Sequence, residues 1–111
     1  MNANRKSLEH KVALITGGAR RIGACIVRTL HREGLNLVIH YHGSAEAARE
    51  LQAELHHHRP DSVLLVGTDL LDPAKIEKLV SQAPHEFGQL DVLVNNASSF
   101  YPTPVGKTTD A

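Results

Sequence analysis

VALITGGARRIGACI, residues Val12 to Ile26, is the stretch from which the architecture is read. Its apolar run from Val12 to Ile15 enters a glycine turn at Thr16-Gly17-Gly18, and helix-compatible residues follow from Arg21. A strand, a phosphate-sized turn and a helix start are thus joined without a spacer. The unpaired N–H groups in the first turn of a helix, together with the positive end of its dipole, suit a pyrophosphate. Gly17 is expected to permit the tight turn, and Gly23 to let the helix lie close to the strand. The spacing is Thr-Gly-x-x-x-Arg-x-Gly, which is not the Gly-x-Gly-x-x-Gly dinucleotide fingerprint.

Outward from this stretch, strands and helices alternate. The first strand is predicted over Lys11–Thr16, and its unbroken apolar character, without alternation, indicates burial on both faces as in a parallel sheet. The following helix is predicted from Arg21 to Glu33, with Ile22, Ile26, Val27 and Leu30 toward the core and Gly34 as its stop. A second strand runs from Leu35 to Tyr41. Ser44 is a fitting N-cap for a second helix that carries Ala48, Leu51 and Leu55 inward and ends before Pro60. Strand three covers Ser62–Gly67. Asp72-Pro73 supplies a cap and a first-turn proline for a third helix, with Ile76, Leu79, Val80 and Ala83 as its stripe. Strand four, Asp91–Asn95, follows Gly88. Such an order predicts an α/β doubly wound parallel sheet of about four strands and three helices, incomplete as it stands. Ligands of doubly wound sheets lie beyond the carboxyl ends of the strands. The unusual polar clusters fall there: Thr16–Arg21, His40–Ser44, Thr68–Leu70 and Asn95–Tyr101.

Composition narrows the partners. Twelve basic residues balance twelve acidic ones, so bulk charge argues neither for nucleic acid nor for an anionic membrane. The single cysteine, Cys25, has no intrachain disulfide partner and sits in an apolar helical pattern, where a packed thiol in a reducing compartment is expected. No apolar run reaches the roughly 18 residues of a membrane span, and Met1–His10 carries no signal-like apolar segment, so a cytoplasmic location is expected. His56-His57-His58 invites a metal, but adjacent helical side chains diverge by about 100° and cannot converge on one ion. No metal is expected.

The second strand speaks to the dinucleotide. An Asp or Glu at its end bonds the ribose 2′-hydroxyl of NAD, whereas a 2′-phosphate repels a carboxylate and favours a cation. Here the strand end reads His40-Tyr41-His42-Gly43-Ser44, the first acid is Glu46 inside the next helix, and Arg20 and Arg21 lie in the neighbouring turn. Arginine presents a planar fork of donors to phosphate, and Ser44 adds a hydroxyl. NADPH is therefore favoured over NADH.

Thr16-Gly17-(three residues)-Arg21-x-Gly23, with Asn95-Asn96-Ala97 after strand four, resembles the short-chain dehydrogenase/reductase superfamily, whose motif usually has glycine where Arg21 stands. Arg21, the run His40-Tyr41-His42-x-Ser44 and the segment Asn95-Asn96-Ala97-Ser98-Ser99-Phe100-Tyr101-Pro102 together resemble the pteridine reductases in particular. The resemblance covers residues 11–106 and implies a Rossmann-type domain. Gly17, Arg21, Ile22 and Gly23 would then hold the diphosphate and adenosine end of NADPH, with His40 and Tyr41 on the adjoining strand end. Arg21, His42 and Ser44 would approach the 2′-phosphate, and Asp69 and Leu70 the adenine. Asn96, Ala97 and Ser98 would border the ribose and nicotinamide. Ser98 and Phe100 would face a pterin or folate-like substrate, with Phe100 stacking on the flat ring. Gly43 departs from the family, which often has a basic residue there.

The superfamily's catalytic Tyr-x-x-x-Lys has no counterpart here: Tyr101 lacks a lysine four residues on, and Tyr41 has Ala45 at that place. No catalytic residue is assigned to the chain. It is expected to be the cofactor half, residues 1–111, of a larger cytoplasmic reductase, a homotetramer on the family pattern, and to be inactive and poorly folded alone because strand four would expose an apolar edge. A non-catalytic dinucleotide-binding module, or a reductase of carbonyl or acyl-carrier substrates, is the alternative.

Overall fold

The computed structural model describes residues 8–19, 21–69 and 72–96. Seven elements follow one another: β1 (Val12–Thr16), α1 (Arg21–Arg32), β2 (Asn36–Tyr41), α2 (Ala45–His58), β3 (Val63–Gly67), α3 (Pro73–Phe87) and β4 (Val92–Asn95). The four strands form one parallel sheet in the order β3-β2-β1-β4. β1 is central, and all five of its residues are buried, which is why its sequence does not alternate. After β3 the chain returns across β2 and β1 to lay β4 on the far side, so the order reverses at β1. This is the partial Rossmann-type α/β fold.

Two apolar layers sandwich the sheet. Ala13, Ile15, Leu37, Ile39 and Val63 face α1 and α2, meeting Ala24, Val27, Leu51 and Leu55. Val12, Leu14 and Val38 face α3, meeting Leu79 and Ala83. Burying each such aliphatic side chain contributes about 1.5–3 kcal/mol. On β4, Val92 and Val94 join the first layer, while Leu93, on the opposite face, is 57% exposed. Among the described residues β4 has a strand on one side only.

Two stripes are narrower than their sequence periodicity predicts. On α1 the buried residues are Gly23, Ala24, Val27 and His31, and Ile22 is 70% exposed. Close packing of Gly23 on the glycine turn, with Ala24 in the apolar layer, sets the helix so that Ile22 faces outward. The same phase exposes Cys25, so the thiol is not packed in the core as its surroundings in the sequence suggested. On α3 only Leu79 and Ala83 are buried, with Ile76 and Val80 at the surface. Asp72 caps α3 as expected, its Oδ1 accepting from the Ala74 N–H at 2.9 Å, and the helix continues through Pro84 to Gly88, whose φ of 86° ends it. Ser44 occupies the N-cap position of α2 but its hydroxyl makes no capping hydrogen bond.

A polar cluster locks the end of α1 to the start of β3. His31, 4% exposed, donates from Nε2 to Ser62 Oγ at 2.7 Å, and that hydroxyl donates to the Arg59 carbonyl at 2.6 Å. Arg59 in turn donates to the His31 carbonyl at 3.1 Å and to the Leu35 carbonyl, closing the C-terminal end of α1. Burial, then the charge of Arg59 and the neighbouring His58 and His56, lower the His31 pKa from 6.5 to about 4. Its unfolded state therefore binds a proton at a higher pH than its folded state. Stability is complete above pH 6.5 and falls as the pH drops from there toward about 4, by at most about 3 kcal/mol from this residue. Urea unfolding at a series of pH values should show that slope, and His31→Gln should flatten it.

Candidate functional site

The carboxyl ends of β1, β2, β3 and β4 lie on one edge of the sheet because all four strands are parallel, and the sequence-predicted polar clusters meet there. The β1–α1 turn is the centre. Gly17 has φ 63°, a left-handed conformation that glycine adopts without a Cβ penalty. Arg21, at the first position of α1, also has positive φ, 54°, which costs a non-glycine residue on the order of 1 kcal/mol. Glycine is the residue that the resembled superfamily usually has here. No acidic residue lies in the first turn of α1, so nothing there neutralises the positive end of the helix dipole.

Gly23 is fixed by contact. A Cβ placed there would run into the Gly17 carbonyl oxygen and stand 2.6 Å from Asn96 Nδ2 and 2.9 Å from Gly18 Cα. The helix start thus lies directly against the turn, and this is a closer fit than helix-on-strand packing alone. The end of β4 secures the other side. Asn96 Nδ2 donates to the Gly17 carbonyl at 3.0 Å, the Asn96 N–H donates to Thr16 Oγ1 at 2.9 Å, and Thr16 Oγ1 bonds Asn95 Oδ1 at 3.0 Å. Asn96 is therefore committed, by side chain and backbone, to the shape of the turn.

At the end of β2 the residues separate into two groups. His40 is buried, and its imidazole accepts from the Gly17 N–H at Nδ1 (3.0 Å) and donates from Nε2 to the Thr68 carbonyl (2.9 Å). It stands behind the turn with both ring nitrogens in use, so it is not placed as a ligand contact. Tyr41 lies half-buried with its ring over Gly67, and its carbonyl accepts from the Thr68 N–H at 3.1 Å. His42 and Gly43 are exposed, and Ser44 is half-buried with its hydroxyl outside any cap. No acid stands between His40 and Ala45. Gly43 has φ 82° with open space around it, so a left-handed backbone, rather than crowding, suits glycine there.

Asp69, half-buried, follows β3 beside Thr68. A cavity of about 320 Å³ lies alongside, lined by Val66, Gly67, Thr68, Lys75, Lys78, Leu79 and Gln82, and it adds two cations near the β3 end. Sequence reasoning passed over these lysines because they lie on α3, within the first two turns after its cap. Arg20, Leu70, Ala97, Ser98 and Phe100 lie outside the described residues, and with them the substrate-facing positions expected of Ser98 and Phe100. Among the described residues no three His, Cys, Asp or Glu side chains are grouped to hold a metal, and no helix is long and apolar enough to cross a membrane.

The arrangement offers a dinucleotide a glycine turn, a helix start and a strand end without a carboxylate. Residues 11–111 match the family model described as short chain dehydrogenase. Pteridine reductase 1 of Leishmania tarentolae is 41% identical over 111 residues, covering 85% of this chain and 38% of that protein. A versicolorin reductase of Emericella nidulans is 39% identical over 90 residues (81% and 34%). A 3-oxoacyl-[acyl-carrier-protein] reductase of Staphylococcus aureus is 37% identical over 87 residues (78% and 35%). The matched region thus spans little more than a third of each of these relatives.

Proposed function

The chain belongs to the short-chain dehydrogenase family, and from this we propose that it is the cofactor-holding part of an NADPH-dependent oxidoreductase that reduces a dihydropterin or dihydrofolate-like ring. The observation that carries the cofactor is Arg21, held at positive φ at the start of α1 while the end of β2 offers no acid. In this reading Arg21, His42 and Ser44 receive the 2′-phosphate, Gly17, Ile22 and Gly23 shape the diphosphate seat, and Asp69 and Leu70 border the adenine. Tyr41 and Asn96 hold the seat's walls, and Ala97 and Ser98 continue toward the nicotinamide. The cofactor supplies the hydride; the chain binds and orients it.

The substrate is argued from the segment Ser98–Phe100 and from the 41% identity to a protein named pteridine reductase 1. We place the proton-donating Tyr-x-x-x-Lys pair in a part of the parent protein outside residues 1–111, and assign that protein a tetrameric, cytoplasmic form by family resemblance. A ketone or acyl-carrier substrate is the second reading, favoured by the similarity to a versicolorin reductase and a 3-oxoacyl reductase.

Steady-state turnover of biopterin, folate and acetoacetyl substrates by the parent protein, each with NADPH and with NADH, decides between them. The first reading expects pterin reduction with NADPH at least about tenfold more efficient than acetoacetyl reduction, a difference of about 1.4 kcal/mol in transition-state binding. The reverse order would give the second reading.

A further inference from the structure

We propose that His40 is a positioning residue, a neutral imidazole of one fixed tautomer that ties the phosphate turn to the end of β3 and decides which amides of that turn face the ligand. This deepens the dinucleotide reading above and rests on it for the ligand's identity. His40 is 2% exposed and lies on β2, between β1 and β3. Its Nδ1 is 3.0 Å from the Gly17 nitrogen, which can only donate, and its Nε2 is 2.9 Å from the Thr68 carbonyl oxygen, which can only accept. The proton is therefore on Nε2. The carbonyl oxygen of the same residue accepts from the Gly18 N–H at 3.1 Å.

One residue thus occupies two consecutive N–H groups of the glycine turn. Those amides are directed back into the sheet, and a phosphate must take its hydrogen bonds from N–H groups further along, toward the start of α1. Without the ring acceptor the half-buried Gly17 N–H would be left unsatisfied, and the turn would reorganise to pair it. That change would alter the amides presented to the ligand.

A second proton, on Nδ1, would set one N–H against another and break the tie to Gly17. Burial and the nearby His42 oppose that proton, while the Thr68 carbonyl favours it, and the balance holds His40 below its ordinary pKa. Near its two hydrogen-bond partners, Arg21 follows the glycine turn, Asp69 follows Thr68, and Lys75 and Lys78 on α3 share a cavity with Thr68. The tie is accordingly lost only on the acid side of the ordinary histidine range.

Imidazole 15N spectra of the parent protein without cofactor should show protonated Nε2 and bare Nδ1 at neutral pH. Hydrogen exchange in the same state should show the Gly17 amide exchanging about tenfold or more faster in His40→Leu and His40→Gln, with protection restored in His40→Asn, whose Oδ1 can stand where Nδ1 does. NADPH titrations should show an acid-side loss of affinity in the wild type that His40→Asn lacks. A protonated Nδ1 at neutral pH, or a Gly17 amide equally protected in all four proteins, overturns the proposal, and the wild-type spectrum decides even where His40→Leu does not fold. If Gly17 follows His40 as described but NADPH does not bind at any pH, the positioning role stands and the cofactor reading is the one that fails.

Discussion

Gly23→Ala should lower the stability of the protein by about 2–4 kcal/mol and weaken dinucleotide binding by at least about tenfold, the range for forced overpacking against backbone. Ordinarily this exchange in a helix stabilises by about 1 kcal/mol, because alanine restricts the unfolded chain and favours helix. At Gly23 the sign reverses. The new methyl would meet the Gly17 carbonyl oxygen, Asn96 Nδ2 at 2.6 Å and Gly18 Cα at 2.9 Å, and two of these three are backbone atoms that no rotamer change can move. Relief requires the helix start to lift from the turn, which breaks the 3.0 Å bond from Asn96 Nδ2 to the Gly17 carbonyl, one of the bonds that tie the end of β4 to the turn. Urea unfolding together with a cofactor titration measures both losses. A variant as stable as the wild type would mean that the helix start is not seated on the turn.

Arg21→Gly should separate stability from cofactor choice. Arg21 has φ 54°, a conformation that disfavours a side chain by roughly 1–2 kcal/mol and that glycine adopts freely. Glycine's larger unfolded-state entropy offsets part of the gain, so the variant should be as stable as the wild type or more so by up to about 1 kcal/mol. NADPH binding should weaken by about 1.5–3 kcal/mol, the scale of a hydrogen bond to a charged group, and NADH binding should change much less. Arg21→Ala should lose the same selectivity without the gain in stability. Binding isotherms for both cofactors, beside thermal unfolding, give the comparison. Equal losses for NADPH and NADH would remove Arg21 from the 2′-phosphate.

Both variants probe a turn whose residues are consecutive in the sequence but whose partners are not. Gly17 and Gly18 take hydrogen bonds from 22 to 79 residues away in the chain, through His40 and Asn96. That distance explains which parts of the site were legible beforehand. The glycines, Arg21 and the missing acid at the end of β2 are local features, readable without knowing what lies across the sheet. His40 and Asn96 were legible as residues at the ligand edge, yet their side chains turn inward to hold the turn.

The sequence by itself determined the elements and their order, because each is set by a local pattern: an unbroken apolar β1, helices with a periodic stripe, Asp72-Pro73 opening α3 and Gly88 closing it. It also determined the family, since the glycine turn after β1 and Asn95-Asn96 at the end of β4 stand where only a few residue types fit. Tertiary structure alone decided how far each helix is rotated about its axis. The meeting of Gly23 with the turn leaves Ile22 and Cys25 at the surface and His31 inward, and hydrophobic periodicity cannot fix that phase to one residue because several neighbouring positions are apolar. It decided the buried polar pairs as well. His31 with Ser62, His40 with Gly17 and Thr68, and Asn96 with Gly17 are each formed by residues far apart in the chain, and a buried donor accepts whichever partner the packed sheet brings within hydrogen-bond distance.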